Sequence, residues 1–148
     1  IQTPYFVPTE NLMLAIQTAA MSGVDVCLML PEKADTVFVH IATMSYIKDL
    51  LNSRVRIAFF RPGFLHSKLM VIDDSLSIIG SANMDVRSFE HNFEIDAFIY
   101  DEKTATDAKN IFMKDMQDSY IITLEEWLKR PLYKRVASSV IRLFTPLL

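Results

Sequence analysis

The feature that most constrains the fold is a nearly continuous apolar run at residues 24–30, which ends at Pro31. The run contains a single polar residue, Asp25, so it lacks the regular alternation of a strand with one solvent-facing side. Such runs are typical of strands buried on both faces of a parallel sheet. The sequence therefore predicts a sheet that is covered by helices on both sides.

The segments around this run alternate between helix and strand patterns. Thr9 is the predicted N-cap of the first helix, and Asp35 or Thr36 that of the second. The predicted helices are residues 10–21, 37–51, 104–120, 124–130 and 132–144. The predicted strands are residues 5–7, 24–30, 55–60, 64–72, 76–79 and 94–100. This order predicts an α/β fold with a mixed, largely buried β-sheet flanked by helices, followed by a helical C-terminal segment.

Composition narrows the possible classes. A length of 148 residues suits one domain, and a hydrophobic content of 51% excludes a disordered chain. The single cysteine, Cys27, excludes a disulfide scaffold and is expected to pack inside the buried strand. No apolar stretch of about 18 residues predicts a transmembrane helix. Because the first residue is Ile1, inside an apolar run, we expect the chain to be a piece of a longer protein.

One stretch carries a pattern suited to phosphate chemistry. His66 and Lys68 are two residues apart on a predicted strand, so their side chains share one face. Two basic groups side by side are unfavourable unless an anion lies between or above them. Gly80 follows, and Ser81 and Asn83 add a hydroxyl and an amide as hydrogen-bond donors. Such donors near a histidine–lysine pair are what a phosphoryl group needs.

These residues, with Asp73 between them, form a pattern that resembles the HKD motif of the phospholipase D superfamily. The resemblance extends along the whole chain, which is similar to the C-terminal half of bacterial cardiolipin synthases. The segments that carry it beyond the motif are residues 5–8, 23–26, 62–66, 83–88, 92–94 and 127–131.

Members of that family carry two HKD motifs, which face each other across one active site. This chain has one, because His40 and His91 lack the downstream pattern. The resemblance therefore implies that the chain supplies one of two HKD halves. Its partner would be a missing N-terminal half or a second copy of the chain.

The resemblance also implies roles for individual residues. One HKD histidine attacks phosphorus and forms a phosphohistidine, while the other protonates the leaving alcohol; His66 matches either, and the acid/base role suits it better. Lys68 would neutralise the non-bridging phosphate oxygens, and Ser81 and Asn83 would donate hydrogen bonds to them. Glu94 would orient His66 through its far ring nitrogen.

Some of the other residues have two possible roles, and some are expected to support the fold around the site. Asp73 is a candidate catalytic residue by its place in the motif, but beside Asp74 it equally suits a hairpin turn. Gly80 is expected to allow close packing, and Arg87 to bind a lipid phosphate or form a structural salt bridge. His40 is expected at a helix edge. No carboxylate cluster or His-rich spacing suggests a metal site, so we expect no metal and no cofactor.

The sequence predicts two parts, a catalytic half at residues 1–122 and a basic amphipathic helical segment at residues 123–148. From Trp127 onward there are five basic residues and no acidic one, whereas the preceding 126 residues carry ten basic and eighteen acidic residues. One side of the last predicted helix is apolar, with Leu132, Val136, Val140, Leu143 and Leu147. The other carries Lys134, Arg135, Ser138 and Arg142. Such a helix packs its apolar side on the domain or binds an anionic membrane.

The function implied by the resemblance is a phosphatidyl transferase that makes cardiolipin from two phosphatidylglycerols and releases glycerol. We expect partners among anionic membrane lipids, a location at the bacterial inner membrane, and no nucleic acid, since the net charge is −3. One alternative is a homodimeric phospholipase D-like phosphodiesterase or nuclease. Another is a half-module that is catalytically inert when isolated.

Overall fold

The computed structural model describes residues 1–143 of the chain. Its strands are β1 (Phe6–Val7), β2 (Cys27–Pro31), β3 (Arg56–Phe60), β4 (Leu69–Ile72), β5 (Leu76–Gly80), β6 (Met84–Asp85), β7 (Asp96–Ile99) and β8 (Ser119–Ile122). Its helices are α1 (Glu10–Met21), α2 (Val37–Asn52), α3 (Val86–Glu90), α4 (Glu102–Gln117), α5 (Leu124–Leu128) and α6 (Leu132–Arg142). The predicted end of the last helix at Phe144, and Leu147 on its apolar side, lie outside the described residues.

Two three-stranded ladders form one mixed sheet. In the first, β2 pairs with β3 in parallel and β3 pairs with β8 antiparallel. In the second, β5 pairs antiparallel with both β4 and β7. Gln2 joins the ladders, because it bridges Met29 of β2 in parallel and Leu69 of β4 antiparallel. The predicted mixed sheet is confirmed, and the first residues of the chain hold its two parts together.

The apolar run in β2 is buried on both faces of the sheet, as predicted. Leu28 and Leu30 face a core that contains residues of α1 and α2. Cys27 and Met29 face the opposite side, where apolar side chains of α4 complete a second cluster. The helices on both faces therefore explain why this strand has no polar alternation.

The helix ends follow the sequence signals in part. The side chain of Thr9 caps α1, as predicted, and Thr123 forms a capping box with Glu126 at the start of α5. Thr36 occupies the N-cap position of α2, but its side chain makes no capping hydrogen bond. Asp35, the other predicted cap, accepts a hydrogen bond of 2.7 Å from the Tyr5 hydroxyl instead. The entry to α2 is therefore held by a tertiary contact.

Three predicted elements have an end that is wrong by three residues or more. The strand predicted over residues 24–30 begins only at Cys27, and Val24 before it is exposed. The strand predicted over residues 64–72 begins only at Leu69, and the segment before it is irregular. The helix predicted over residues 104–120 ends at Gln117, because residues 119–122 form β8 and pair with β3. Apolar residues at Tyr120, Ile121 and Ile122 fit the end of a helical stripe as well as a short strand, so spacing alone did not separate the two. The short elements β6 and α3 were not predicted.

The last helix, α6, packs its polar side against α2, although its apolar pattern predicts that the apolar side would pack there. Ser138 is buried in this contact, and Arg142 donates a hydrogen bond of 2.6 Å to Asp49 of α2. Leu132 and Val140, on the apolar side, are exposed. The expectation that the apolar side packs on the domain is therefore wrong. Within residues 1–143, no helix has both the length and the apolar content needed to cross a bilayer.

Candidate active site

The predicted histidine–lysine pair lies in the irregular segment that leads into β4. The Nζ atom of Lys68 is 3.0 Å from Nε2 of His66, and it also donates a hydrogen bond of 3.2 Å to the His66 carbonyl oxygen. The shared orientation that strand spacing predicted therefore survives outside the regular strand. The same Nζ atom lies 3.3 Å from Nδ1 of His66, so it is close to both ring nitrogens.

The pKa of Lys68 depends on burial and on two nearby carboxylates. Burial lowers the pKa of Lys68 below its usual range, and the carboxylates of Glu94 and Asp85 oppose this effect by raising it. The same interaction contributes to a lowered pKa of Glu94. Burial and the two carboxylates therefore act on the pKa of Lys68 in opposite directions, and burial has the larger effect.

Glu94 is the centre of a hydrogen-bond network. It accepts hydrogen bonds from the hydroxyl of Ser81, from the hydroxyl of Ser88 at 3.1 Å, and from the amide of Asn92 at 3.3 Å. The bond from Ser81 is the largest cause of its lowered pKa. Among residues 1–143, no hydrogen bond joins Glu94 to His66. The predicted orienting contact is thus replaced by contacts to the loop that follows β5.

Ser81 and Asn83 lie in the loop that follows β5, and they differ in how far their side chains are hydrogen-bonded. The Ser81 hydroxyl donates to Glu94 and accepts from the backbone N–H of Ile95 at 3.0 Å, so its only proton is already used. The Oδ1 atom of Asn83 is buried and has no hydrogen-bond partner in the described structure. This oxygen only accepts hydrogen bonds, as the oxygens of a phosphate do, so it is not the atom that would hold a phosphate. The predicted donation from Asn83 to a phosphate would have to come from its Nδ2 amide group.

Gly80 allows the close approach that was expected of it. A Cβ atom at this position would lie 1.9 Å from Oδ1 of Asp96 and 2.3 Å from the carbonyl oxygen of Ile95. Real side chains do not tolerate such distances, so only glycine lets β5 and β7 approach here. This approach brings Glu94, just before β7, next to Ser81, just after β5.

Asp73 lies at the opposite end of β4 from the histidine–lysine pair. Its φ angle of 48° and that of Asp74, 54°, belong to the left-handed region used by tight hairpin turns. Five residues along an extended chain separate Asp73 from Lys68, which corresponds to roughly 16 Å at about 3.3 Å per residue. The structure thus places Asp73 in the hairpin turn and away from the other predicted site residues.

Arg87 and His40 lie outside the hydrogen-bond network around Glu94. Arg87 is exposed on α3 and has no carboxylate within 4.0 Å among the described residues, so the predicted salt bridge is not formed there. It lines a cavity of about 330 Å³ together with Asn83 and Tyr5. His40 is half-buried on α2, and burial, followed by the nearby charges of the C-terminal segment, lowers its pKa. His40 is therefore a packing residue of the helical layer.

Sequence reasoning missed two residues that support the site. Ser88 is buried on α3; its hydroxyl accepts from the Asn83 N–H at 3.0 Å while donating to Glu94. Asn92 is a second donor to Glu94. The available signal was Asp85, three residues before Ser88, because this spacing indicates the N-cap of a short helix. No group of three or more His, Cys, Asp or Glu residues in positions 1–143 is arranged to hold a metal ion.

Comparison with known proteins agrees with this geometry. A family model described as cardiolipin synthase, PLD-like domain, matches residues 1–116. Over all 148 residues the chain is 47% identical to the major cardiolipin synthase of Bacillus subtilis, and it covers 31% of that protein. It is 45% identical over the same span to a cardiolipin synthase of Clostridium perfringens. The chain thus spans about a third of the length of these relatives.

Among solved structures, the chain matches Nuc, a phospholipase D family member from Salmonella typhimurium, with a TM-score of 0.71 and 22% identity. That match covers 82% of this chain and 79% of the other. Such distant likeness supports the fold alone, and it agrees with the mixed sheet and its helical layers. Because the family model spans most of the chain, the chain belongs to the family of cardiolipin synthase phospholipase D-like domains.

Proposed function

We propose that the chain is one catalytic half of a phosphatidyl transferase that makes cardiolipin from two phosphatidylglycerols and releases glycerol. The observation that carries the proposal is the contact between His66 and Lys68 beside the Glu94 network. The strong similarity to cardiolipin synthases over all 148 residues supports the choice of substrate. The substrate is a lipid, so we place the reaction at the bacterial inner membrane.

The proposed chemistry proceeds through two displacements at phosphorus. One motif histidine attacks the phosphodiester of the first phosphatidylglycerol, and the bond from phosphorus to the glycerol oxygen breaks. The other histidine gives its proton to that oxygen, and glycerol leaves. The hydroxyl of a second phosphatidylglycerol then attacks the phosphohistidine and passes its proton to the second histidine. Atoms and charges balance without any further reactant.

Within this scheme His66 is one of the two histidines, with the acid/base role favoured, and Lys68 balances the charge on the non-bridging oxygens. Asn83 is proposed to donate a hydrogen bond to the phosphate through its Nδ2 amide group, and it lines the cavity beside the site. Ser81 and Glu94 would act together, because the serine donates to the carboxylate and holds the loop in place. Arg87, which lines the adjoining cavity, is proposed to meet a lipid phosphate.

A second half is required because the scheme needs two histidines. The surface beside the site supports this requirement, since β7 is an edge strand within the described sheet and exposed apolar side chains lie in it and on either side of it. Phe98 lies in β7, and Phe93, Ile95 and Tyr100 flank it. An exposed apolar edge next to catalytic groups is what a missing protein half would cover. We propose an upstream half of the same protein as that partner.

A homodimeric phosphodiesterase or nuclease is the second candidate. The single HKD-like motif of this chain is the observation that favours it. In that arrangement a second copy of this chain supplies the other histidine. The net charge of −3 disfavours a nucleic acid as the substrate, since such substrates need a basic groove. The third candidate is an isolated half without activity.

The test is turnover of phosphatidylglycerol by the complete enzyme, with products identified by mass spectrometry. We expect His66→Ala to lower cardiolipin formation by about 10³-fold or more, whereas His91→Ala, at an exposed histidine outside the motif, leaves it unchanged. Lys68→Met is expected to cost about 10²–10³-fold. Full turnover in the His66→Ala enzyme would contradict the proposal.

The alternatives give different results in a second assay. The isolated chain is mixed with DNA or with a simple aromatic phosphodiester, and its mass in solution is measured by light scattering. Turnover by a dimer, abolished by His66→Ala, supports the homodimeric enzyme. A monomer without turnover supports the half-site.

A further inference from the structure

The α6 helix presents an apolar stripe to the exterior of the chain. The stripe consists of Leu132, Val136, Val140 and Leu143, which are 70%, 53%, 49% and 78% exposed. The opposite side of the helix faces α2, where Ser138 is buried and Arg142 pairs with Asp49. A surface helix of a soluble domain normally turns its apolar side inward. The reversed orientation therefore leaves an apolar surface that no other residue in positions 1–143 covers.

The polar contacts to α2 fix this orientation. Arg142 donates to the Asp49 carboxylate at 2.6 Å, and its guanidinium lies 4.8 Å from the centre of the Tyr46 ring. Ile141 adds an apolar contact with the core. Rotating the helix to bury its stripe would break the ion pair and remove Ile141 from the core. The outward stripe is thus held by specific contacts.

Charge identifies the kind of surface that covers the stripe. The sequence from Trp127 onward contains no acidic residue, and it carries Lys129, Arg130, Lys134 and Arg135 before or within α6. Arg135 and the stripe residues line one shallow groove on the outer side of the helix. A protein partner would need a matching acidic and apolar surface, whereas an anionic bilayer offers both properties over any area.

We propose that α6 lies in the interface of an anionic lipid bilayer, with its apolar stripe among the upper acyl chains and Arg135, which flanks the stripe, at the headgroups. The remainder of the chain is acidic, with ten basic and eighteen acidic residues before Trp127. Repulsion from anionic lipid keeps that part away from the bilayer, so the basic helix is the side that docks. The interaction requires no turnover and is therefore independent of the proposed reaction.

The test is co-sedimentation of the full chain with vesicles. One set contains phosphatidylcholine alone, and the other contains phosphatidylcholine and phosphatidylglycerol in equal amounts. The informative variant is Val136→Ser with Val140→Ser, which changes only exposed positions. The matched control is Leu14→Ser with Met21→Ser on α1, where the apolar side chains are exposed to a similar degree. Fluorescence of Trp127, buried and stacked on Phe59, shows whether each variant is folded.

We expect the chain and the control to bind the phosphatidylglycerol vesicles, and added salt to weaken the binding. The α6 variant should bind at least about tenfold less. The two valine side chains would be buried among the acyl chains, and their burial contributes more to binding than the 1.4 kcal/mol of a tenfold change in affinity. Equal binding by the α6 variant would overturn the proposal. It would also be overturned if the chain formed a dimer without lipid that this variant abolishes, because the stripe would then be a protein interface.

Discussion

The two ladders of the sheet have the same number of strands but differ in how completely they are covered. All five residues of β2 are buried, and so are the three central residues of β3. In the other ladder only Leu69 in β4 and Ser77 in β5 are buried, and none in β7. The catalytic candidates His66, Lys68, Ser81, Asn83 and Glu94 flank the strands of this second ladder. Within residues 1–143, the central strands of the first ladder are thus buried, whereas the strands next to the candidate site are mostly not.

The difference has a physical basis in where the helices lie. Apolar side chains of α1 and α2 cover one face of the first ladder, and α4 covers the other. The second ladder has α4 near β4 and β5, while β7 ends the sheet as an exposed edge. Exposed apolar edges favour pairing with another protein surface. The comparison therefore predicts different responses to substitution in the two ladders.

The largest expected effect is on stability and separates the two ladders directly. Leu30→Ala in β2 should lower the free energy of unfolding by about 2–5 kcal/mol, because the side chain is fully buried. Phe98→Ala in β7 should change it by only about 0.5 kcal/mol or less in the isolated chain, because that ring is exposed. Urea denaturation of both variants measures the contrast. Similar losses would mean that β7 is already covered in the isolated chain.

The next effect concerns Ser88, which joins Asn83 to Glu94 beneath the site. We expect Ser88→Ala in the complete enzyme to lower kcat by up to about 100-fold through misplacement of the loop, with little change in KM. Ser88→Thr, which keeps the hydroxyl, should recover part of the loss. Ser139→Ala on the exposed side of α6 is the control and should match the parent enzyme. An unchanged kcat in Ser88→Ala would remove Ser88 from the positioning network.

A smaller effect is expected where the two strands of the open ladder approach each other. Gly80→Ala places a methyl group against Asp96 and the Ile95 carbonyl, and should cost about 1–3 kcal/mol of stability. Activity should fall as well, because Glu94 would move away from Ser81. Gly63→Ala is the matched control, since a methyl group there meets no atom within 4 Å. Thermal unfolding of the two variants compares them, and equal melting temperatures would contradict the close approach.

The smallest effect is a pH dependence that belongs to the helical layer over the covered ladder. Burial lowers the pKa of His40 in the folded chain, so the unfolded chain takes up the proton more readily. The stability is therefore complete above the ordinary histidine pKa of about 6.5 and decreases as the pH falls below it. His40→Gln should reduce this decrease between pH 7.5 and 5.5, as measured by urea midpoints. The same decrease in His40→Gln and in the parent would assign it to other groups.

Sequence reasoning predicted all three strands of the open ladder but missed one strand, β8, of the covered ladder. The unbroken apolar run of β2 has one reasonable interpretation, a strand buried on both faces, and the structure confirms it. β8 was missed because its three apolar residues follow a helical stripe without a glycine or proline to mark the boundary. Its strand conformation comes from pairing with β3, which local spacing does not encode.

The candidate site was predicted in composition but not in its connections. His66 and Lys68 were placed side by side correctly, because two residues of extended chain point the same way even outside a ladder. The partner of Glu94 was predicted as His66, yet its carboxylate bonds Ser81, Ser88 and Asn92. Those contacts depend on the close approach of β5 and β7 at Gly80. Motif order alone therefore did not reveal them.

The most direct test of the central claim is formation of cardiolipin from phosphatidylglycerol by this chain with and without an upstream half. The upstream half is taken from the Bacillus subtilis relative, of which this chain covers 31%. The half-site account predicts product only when both parts are present, and loss of product when this chain carries His66→Ala. Equal cardiolipin formation by the chain alone would contradict it.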